Sequence, residues 1–261
     1  MSQRMVILGA GTALPDRERD NTFLVWDTPQ GGWLIDCGGR AYQQLLRADC
    51  APQRLQGVIL THNHPDHIYG LPALLFHLWL AGYDGVLPIY PNPPTLAMAR
   101  RLVEALELEQ HGHMCRVVWH ALPQDAVQTI VEQPDLRIST MPVCHTRPTL
   151  GVRIEDRRVG RWLAYSSDTA PCPALEQLAQ GAHTLIHEAT ARRADEGHGH
   201  TTPQQVGALA AQAGVSRVVL IHYSAEYVMP EAQALAEVRA GGFTGDVRIA
   251  RELEVYTLEE R

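Results

Sequence analysis

The chain has 261 residues and a formal net charge of −7, and 45% of its residues are hydrophobic and 20% charged. This length and balance are typical of a globular protein that buries a full core. The acidic charge argues against a large nucleic-acid footprint, which needs a basic surface. The longest apolar run, residues 71–81, contains Pro72 and His77 and is too short to cross a bilayer, so no membrane partner is expected.

The cysteines are the next compositional signal. There are five of them, an odd number, and none lies in a CxxC pair. This usage argues against a disulfide framework and predicts a cytoplasmic protein.

Predicted elements in the first half of the chain are short β-type runs followed by helices. The strands end near Gly, Pro or Asp and are predicted at residues 4–8, 22–26, 33–36 and 57–60. A short helix is predicted at 41–48, a strongly apolar one at 66–80 and an amphipathic one at 95–109.

The second half repeats this pattern of strands followed by helices. Strands are predicted at residues 116–119, 127–131, 137–141, 150–154, 162–165, 217–221, 247–249 and 253–257. Helices are predicted at 173–180, 203–213 and 230–240, each beginning with proline, which suits a first helical position. Thr202 and Gln205 have the spacing of a capping box at the second of these helices.

Two halves of this kind can stack sheet against sheet with helices on both outer faces. No linker, low-complexity segment or short-period repeat interrupts the chain. We therefore predict an α/β (α+β) protein with one domain spanning residues 1–261.

Three histidines and an aspartate fall within six residues, between an apolar strand and an apolar helix. They are His62, His64, Asp66 and His67. Imidazole nitrogens and carboxylate oxygens are the ligands that zinc-like cations prefer. In an extended loop His62 and His64 point the same way and can share one ion, whereas Asp66 and His67 lie past the turn and aim at a second. The alternative without a metal is a hydrophilic loop in which Asp66 stabilises a helix N-terminus. It does not explain why three histidines fall at this spacing.

Further ligands must come from distant segments if two ions are bound. Three candidates follow predicted strands, namely His145, Asp168 and His222. Each alone is equally well explained as a surface polar residue. Together they complete the ligand count that the first motif leaves open.

These residues and several further motifs resemble the metallo-β-lactamase superfamily and, within it, the ribonuclease Z-like branch. The histidine cluster is specific for the superfamily. Other segments similar to the branch lie at residues 8–12, 34–38, 187–190, 199–202 and 221–224. The resemblance covers nearly the whole chain and implies a four-layer αββα sandwich with the site along one edge.

The resemblance also implies roles for individual residues. It implies a first metal held by His62, His64 and His145, and a second held by Asp66, His67 and His222. Asp168 would bridge the two metals. Glu188 and His200 would form a proton-relay pair. The expected catalytic residues are this pair and Asp66. Alternatively, Glu188 caps a helix and His200 merely precedes one.

Two cations about 3.5–4 Å apart lower the pKa of a shared water and give a hydroxide nucleophile at neutral pH. The leaving alkoxide needs a proton, which His200, oriented by Glu188, would donate. We therefore predict a dinuclear metal-dependent hydrolase that cleaves phosphodiesters. Zinc is the expected metal, with manganese or iron as alternatives because all three accept these ligands.

The substrate prediction depends on a departure from ribonuclease Z. That family carries a tRNA-binding arm between the lone metal histidine and the bridging aspartate. Here the interval is 168 − 145 = 23 positions, which a turn and a predicted hairpin use up. A small or nucleotide-type phosphodiester is therefore expected, and tRNA 3′-processing is the alternative.

Other readings stay open, because a fold does not fix a function. They are hydrolysis of a lactone, thioester, sulfate ester or β-lactam, a non-catalytic zinc protein, and an iron-containing redox protein. Structural zinc usually has four closed ligands, often cysteines, and the seven predicted ligands include none. A homodimer is expected from the resemblance alone.

Three further features of the sequence have both a functional and a structural explanation. Cys144 is predicted to be a buried small hydrophobe rather than a reactive thiol. The basic hairpin tip, residues 157–161, is predicted to be a solvated turn rather than a phosphate contact. Trp79, Tyr83 and Tyr90 are equally well explained as pocket-lining or core residues.

Overall fold

The computed structural model describes residues 2–108, 116–194 and 198–259. Its contacts divide the chain into two compact units, Met1–Leu122 with Arg251–Thr257, and Pro123–Ala250 with Leu258–Arg261. The single domain over residues 1–261 stays a prediction. Within the described ranges, no helix is long and apolar enough to cross a bilayer.

The first unit contains a mixed sheet of seven strands among its described residues, in the spatial order β14-β1-β2-β3-β4-β5-β6. The strands are β1 (Arg4–Gly9), β2 (Phe23–Thr28), β3 (Gly31–Ile35), β4 (Gly57–Leu60), β5 (Val86–Pro91), β6 (Arg116–Trp119) and β14 (Val255–Tyr256). β1, β2 and β3 pair antiparallel, whereas β3 to β6 pair parallel. The strands β3 and β4 are buried at every residue, as expected of parallel strands covered on both faces.

Helices of the first unit pack on one face of this sheet. They are α1 (Ala41–Arg47), α2 (Pro65–Ile68), α3 (Leu71–Leu80) and α4 (Pro93–Ala105), with a short 3₁₀ helix at Pro52–Arg54. Leu45 of α1, Leu75 of α3 and Val103 of α4 join strand residues such as Val58 in one buried apolar cluster. Burial of this apolar face, rather than local propensity, holds such short helices in place.

The second unit contains another mixed sheet of seven described strands, in the order β13-β12-β11-β10-β9-β8-β7. The strands are β7 (Gln128–Glu132), β8 (Leu136–Val143), β9 (Thr149–Asp156), β10 (Arg161–Tyr165), β11 (Thr184–Glu188), β12 (Arg217–Ile221) and β13 (Asp246–Ile249). β7 to β10 form an antiparallel meander, and β10 to β13 are parallel.

Three helices among the described residues of the second unit cover its sheet and share a second buried apolar cluster. They are α5 (Pro173–Ala179), α6 (Pro203–Gln212) and α7 (Glu231–Ala240). The predicted capping box at α6 is present, because the Thr202 hydroxyl accepts from the Gln205 N–H and the Gln205 side chain accepts from the Thr202 N–H. These hydrogen bonds satisfy N-terminal donors of the helix and fix where it begins.

Several predicted elements need correction. The helix predicted at 66–80 is two helices, α2 and α3, interrupted at Tyr69 and Gly70. A Cβ on Gly70 would lie within 3 Å of three backbone carbonyl oxygens, so the chain approaches too closely there for any other residue. Pro230 caps α7 rather than opening it.

The strands β5 and β11 were not predicted, and the predicted helix at 95–109 occupies Pro93–Ala105 instead. Its predicted last residue and Cys115 lie outside the described residues. Cys144 is exposed, so the expectation that it is buried was wrong.

Strand direction determines where the loops lie. β3, β4, β5 and β6 are parallel, so their carboxyl ends meet at one edge of the first sheet. In the second sheet β8, β10, β11 and β12 run in the same direction and end at one edge. Ligand sites of α/β sheets form outside such carboxyl ends, and the predicted site residues follow these strands.

Candidate metal centre

The first group of predicted ligands lies in the loop after β4 and in α2. His64 is the extended residue that precedes α2, and Asp66 and His67 belong to that helix. His62, Asp66 and His67 are buried, whereas His64 is half-buried. The Nε2 atom of His67 lies 3.4 Å from Asp66 Oδ2. The structure therefore brings these four predicted ligands together within the first unit.

The carboxylate that orients this group is Asp36, which follows β3 and has a left-handed φ of 61°. It accepts hydrogen bonds from the Thr61 N–H at 2.8 Å and the Thr61 hydroxyl at 2.9 Å. His67 Nδ1 lies 2.8 Å from Asp36 Oδ2. Burial raises the pKa of the Asp36 carboxyl, whereas His67 and Thr61 lower it. A carboxylate in this position fixes the imidazole tautomer and leaves the Nε2 lone pair for a cation.

The same network orients His62. The Thr61 hydroxyl proton goes to Asp36, so the hydroxyl accepts from His62 Nδ1 at 3.0 Å. The lone pair of His62 is then on Nε2, which lies 3.1 Å from His64 Nδ1. Two nitrogens bound at 2.0–2.1 Å to one tetrahedral cation would be separated by about 3.3 Å. The spacing of these two nitrogens therefore suits a shared cation.

His145 begins the second group, just after β8. Its Nδ1 lies 2.7 Å from the Gly199 carbonyl oxygen, so Nδ1 carries the proton and Nε2 the lone pair. The Nε2 atom lies 3.9 Å from Asp168 Oδ2. Burial lowers the pKa of His145. The imidazole is therefore neutral near pH 7, as a metal ligand must be.

His222 is oriented by Thr190. The Thr190 hydroxyl donates to the His222 carbonyl at 2.8 Å and therefore accepts from His222 Nδ1 at 2.7 Å. His222 Nε2 lies 3.6 Å from Asp168 Oδ2, and the Asp168 side chain is 3% exposed. Ser167 and His222 both have left-handed φ values, of 52° and 50°. Such unfavourable backbone at the ends of β10 and β12 is typical of functional sites.

Glu188 and His200 lie beside these residues in the second unit. The fully buried Glu188 carboxylate accepts from the Thr190 N–H at 2.8 Å and the Thr201 N–H at 2.7 Å. His200 Nδ1 lies 3.2 Å from Glu188 Oε1, and the His200 side chain is 18% exposed. The predicted pair is therefore in contact. One ligand atom from each of His200, Asp168 and His222 lies within 4.8 Å of the others, a spacing that would suit a metal.

Four positioning residues were not assigned from the sequence: Asp36, Thr61, Thr190 and Gly199. The motifs at 34–38, 187–190 and 199–202 contain Asp36, Thr190 and Gly199. The sequence therefore marked these segments as similar to the family, but it did not indicate what the three residues do. Their contacts join residues 25 to 54 positions apart, which spacing alone does not reveal.

Donor chemistry of both groups fits divalent cations. Four imidazoles have Nδ1 held by an acceptor and present Nε2, and the carboxylates of Asp66 and Asp168 are buried beside them. Neutral imidazoles and carboxylates are ligands that zinc, manganese and iron accept. The His and Asp groups are therefore able to bind metal.

Similar proteins support this assignment. Ribonuclease Z of Methanothermobacter thermautotrophicus is 26% identical over 87% of this chain and 88% of its own length. The crystal structure of the short form of human tRNase Z has a TM-score of 0.80 and 25% identity, covering 98% of this chain and all of that one.

A metallo-β-lactamase-fold protein, YhfI of Bacillus subtilis, has a TM-score of 0.78 at 20% identity and covers 97% of this chain and 98% of its own. It confirms the predicted fold class. Residues 33–223 match the family described as the beta-lactamase superfamily domain. The chain belongs to the beta-lactamase superfamily and is a ribonuclease Z-like, metal-dependent hydrolase of the metallo-β-lactamase fold.

Proposed function

We propose that the chain is a dinuclear metal-dependent phosphodiesterase that acts on small or nucleotide-type phosphodiesters. The ligand groups of the two units would act together on two divalent cations, of which zinc is the expected metal. The first cation would be held by His62, His64 and His145, the second by Asp66, His67 and His222, and Asp168 would bridge them.

The observation that carries this proposal is the shared orientation of four imidazoles. His62, His67, His145 and His222 each direct Nδ1 to a hydrogen-bond acceptor, which leaves the lone pair on Nε2. The buried His187 also directs Nδ1 to a carbonyl oxygen, but each of these four Nε2 atoms lies 3.1–3.9 Å from an atom of another predicted ligand. Metal-binding histidines combine both features, because the outer acceptor orients the ring and raises its basicity.

Catalysis would divide between the cations and two side chains. When bound, two divalent cations supply an activated water and neutralise charge on a phosphoryl group. Glu188, held by two backbone N–H groups, would stabilise the protonated His200 imidazole, which would then give its Nε2 proton to the leaving alkoxide. His200 is exposed enough to reach a substrate, and its contact with Glu188 through Nδ1 leaves Nε2 as the atom that donates.

A small substrate is supported by the segment between His145 and Asp168. The hairpin of β9 and β10 occupies Thr149–Asp156 and Arg161–Tyr165, so an arm for tRNA has no room there. The arginines at its tip are engaged within the second unit. Arg157 pairs with Glu132, Arg158 donates to Asp156 at 2.9 Å and Arg161 donates to the Leu258 carbonyl at 3.2 Å. These contacts and the net charge of −7 do not favour a long polyanion.

A tRNA 3′-processing endonuclease is the second candidate. The specific observation in its favour is the similarity to ribonuclease Z, which extends over 87% of this chain. On this alternative the enzyme would bind precursor tRNA without the arm between His145 and Asp168.

A substrate panel with metal-loaded protein tests the proposal. It should contain bis-p-nitrophenyl phosphate, cyclic nucleotides, precursor tRNA, a lactone, a thioester, a sulfate ester and a β-lactam. We expect turnover of bis-p-nitrophenyl phosphate and of at least one cyclic nucleotide. Turnover of only a lactone, thioester, sulfate ester or β-lactam would overturn the proposal, and efficient cleavage of precursor tRNA would favour the second candidate. The homodimer and the cytoplasmic location stay predictions.

A further inference from the structure

We propose that Tyr90 and His120 form a stacking platform that binds the aromatic base of a nucleotide-type substrate. This inference rests on the proposed phosphodiesterase function and names the group that the substrate carries beside its phosphate. The platform belongs to the first unit and uses no predicted metal ligand.

Ring geometry is the first support. The rings of Tyr90 and His120 are stacked, with centroids 5.0 Å apart and planes inclined by 17°. Trp33 also contacts Tyr90, with ring centroids 6.0 Å apart. It lies on β3, which is on the opposite side of β5 from β6. His120 is exposed and Tyr90 is half-buried. The outer member of this stack is therefore an accessible flat ring, and nucleobases stack on such rings whatever their identity.

Backbone pairing holds the platform rigidly. The chain continues to pair with β5 after β6 ends, because the His120 N–H donates to the Ile89 carbonyl and the Leu122 N–H to the Pro91 carbonyl, each at 2.8 Å. Leu87 and Ile89 of β5 point into the apolar cluster beneath the helices. Since side chains alternate along a strand, Tyr90 lies on the opposite face. A ring carried on such paired backbone loses less conformational entropy when a ligand docks than a ring on an unpaired loop.

The platform lies at the sheet edge that carries the histidine loop. Tyr90 pairs in register with Ile59 of β4, and Pro91 pairs with Leu60. His62 is three residues beyond Ile59, so the Tyr90 backbone lies roughly 10 Å from it along the strand direction, at about 3.3 Å per residue. A nucleotide, whose base and phosphate are separated by a ribose, spans a distance of this order. Base stacking and phosphate binding could therefore occur together.

The other two aromatic residues considered from the sequence do not compete for this role. Tyr83 is 8% exposed, belongs to the apolar cluster of the first unit and donates to the Val86 carbonyl at 3.2 Å. Trp79 lies on α3 beside Phe76, with centroids 5.7 Å apart. Of the three, Tyr90 alone stacks at the edge where β4 and β5 end.

Binding of adenosine, which carries the base but no phosphate, tests the platform directly. It would be titrated by NMR into metal-loaded and metal-stripped protein, with methyl riboside as the ligand that lacks the ring. We expect adenosine to bind and to shift the His120 ring resonances, and methyl riboside not to bind. His120→Ala should weaken adenosine binding roughly 5- to 160-fold, the range for loss of one base–aromatic stack. His120→Phe, which keeps a flat ring, should restore it.

His77→Ala is the matched control, because His77 is also an exposed histidine of the first unit and contacts the aromatic rings of Tyr42 on α1 and Phe76 on α3. It should bind adenosine as the wild type does. Equal binding by wild type and His120→Ala, or no binding by the wild type, would overturn the platform. Phosphodiester turnover without adenosine binding would refute the platform and spare the proposed function. Adenosine binding through His120 without turnover of any phosphodiester would support the platform and refute the proposed function.

Discussion

Replacing Asp36 with asparagine tests whether this carboxylate orients the metal ligands. The substitution keeps the side-chain shape. The amide oxygen would stay on the Thr61 N–H, because that buried donor needs an acceptor. The amide NH₂ would then occupy the position of Oδ2, 2.8 Å from His67 Nδ1. An NH₂ group cannot accept a proton there, so His67 would switch tautomer and place its hydrogen on Nε2, where a cation should bind.

The size of the effect follows from this switch. Loss of an outer-shell partner of a metal-binding histidine typically costs 10- to 100-fold in metal affinity, which corresponds to about 1.4–2.7 kcal/mol. We expect the upper part of this range, because the Thr61 hydroxyl, which orients His62, loses the same acceptor. The fold should persist, since the buried position becomes neutral and keeps its main-chain hydrogen bond.

Zinc affinity would be measured by competition with a chromophoric chelator, and the His67 tautomer by ¹⁵N NMR of the metal-free protein. Asp27→Asn is the matched control. Asp27 is also an aspartate in the sheet of the first unit, on β2, but its carboxylate pairs with Arg4, at 2.9 Å, and not with a predicted metal ligand. It should bind zinc as the wild type does. The reasoning would be refuted by an Asp36→Asn variant that is folded, keeps the Nδ1–H tautomer at His67 and binds zinc with wild-type affinity.

Three further substitutions probe the second unit. His200→Ala should retain its metal content while turnover of bis-p-nitrophenyl phosphate falls about 100-fold or more; metal loss would instead make His200 a ligand. Thr190→Val removes the acceptor for His222 Nδ1 and should weaken zinc binding about 10- to 100-fold by chelator competition, so unchanged affinity would remove Thr190 from the site. Gly199→Ala would put a Cβ 2.9 Å from His145 Nδ1 at a φ of 72°, and should lower zinc affinity and the melting temperature together; a variant with both unchanged would contradict the close packing.

Local signals in the sequence predicted much of the fold. The strand at 57–60 and the capping box of Thr202 and Gln205 agree with the structure residue by residue. Both depend on neighbours within a few positions: an apolar run bounded by polar residues, and a reciprocal pair of side chains at a helix start. The strand-end candidates His145, Asp168 and His222 were found for the same reason, because each follows a recognisable apolar strand.

Features that depend on distant contacts could not be predicted in this way. β5 contains Pro88 and Pro91, which argue against a strand when read locally, yet it pairs between β4 and β6. The break at Gly70 comes from carbonyl groups of residues 37–39, more than thirty positions earlier. The role of Asp36 depends on Thr61 and His67 in the same way. Such constraints belong to the tertiary structure and leave only an unexplained motif in the sequence.

Metal stoichiometry is the most direct test of the central claim. Elemental analysis of zinc-loaded wild-type protein, with bis-p-nitrophenyl phosphate turnover measured on the same sample, should give two equivalents of metal per chain and chelator-sensitive activity. Asp168→Ala should lose metal as well as turnover, because the proposed bridge is gone. One equivalent or less in the wild type, or full occupancy by both metals in Asp168→Ala, would contradict the account.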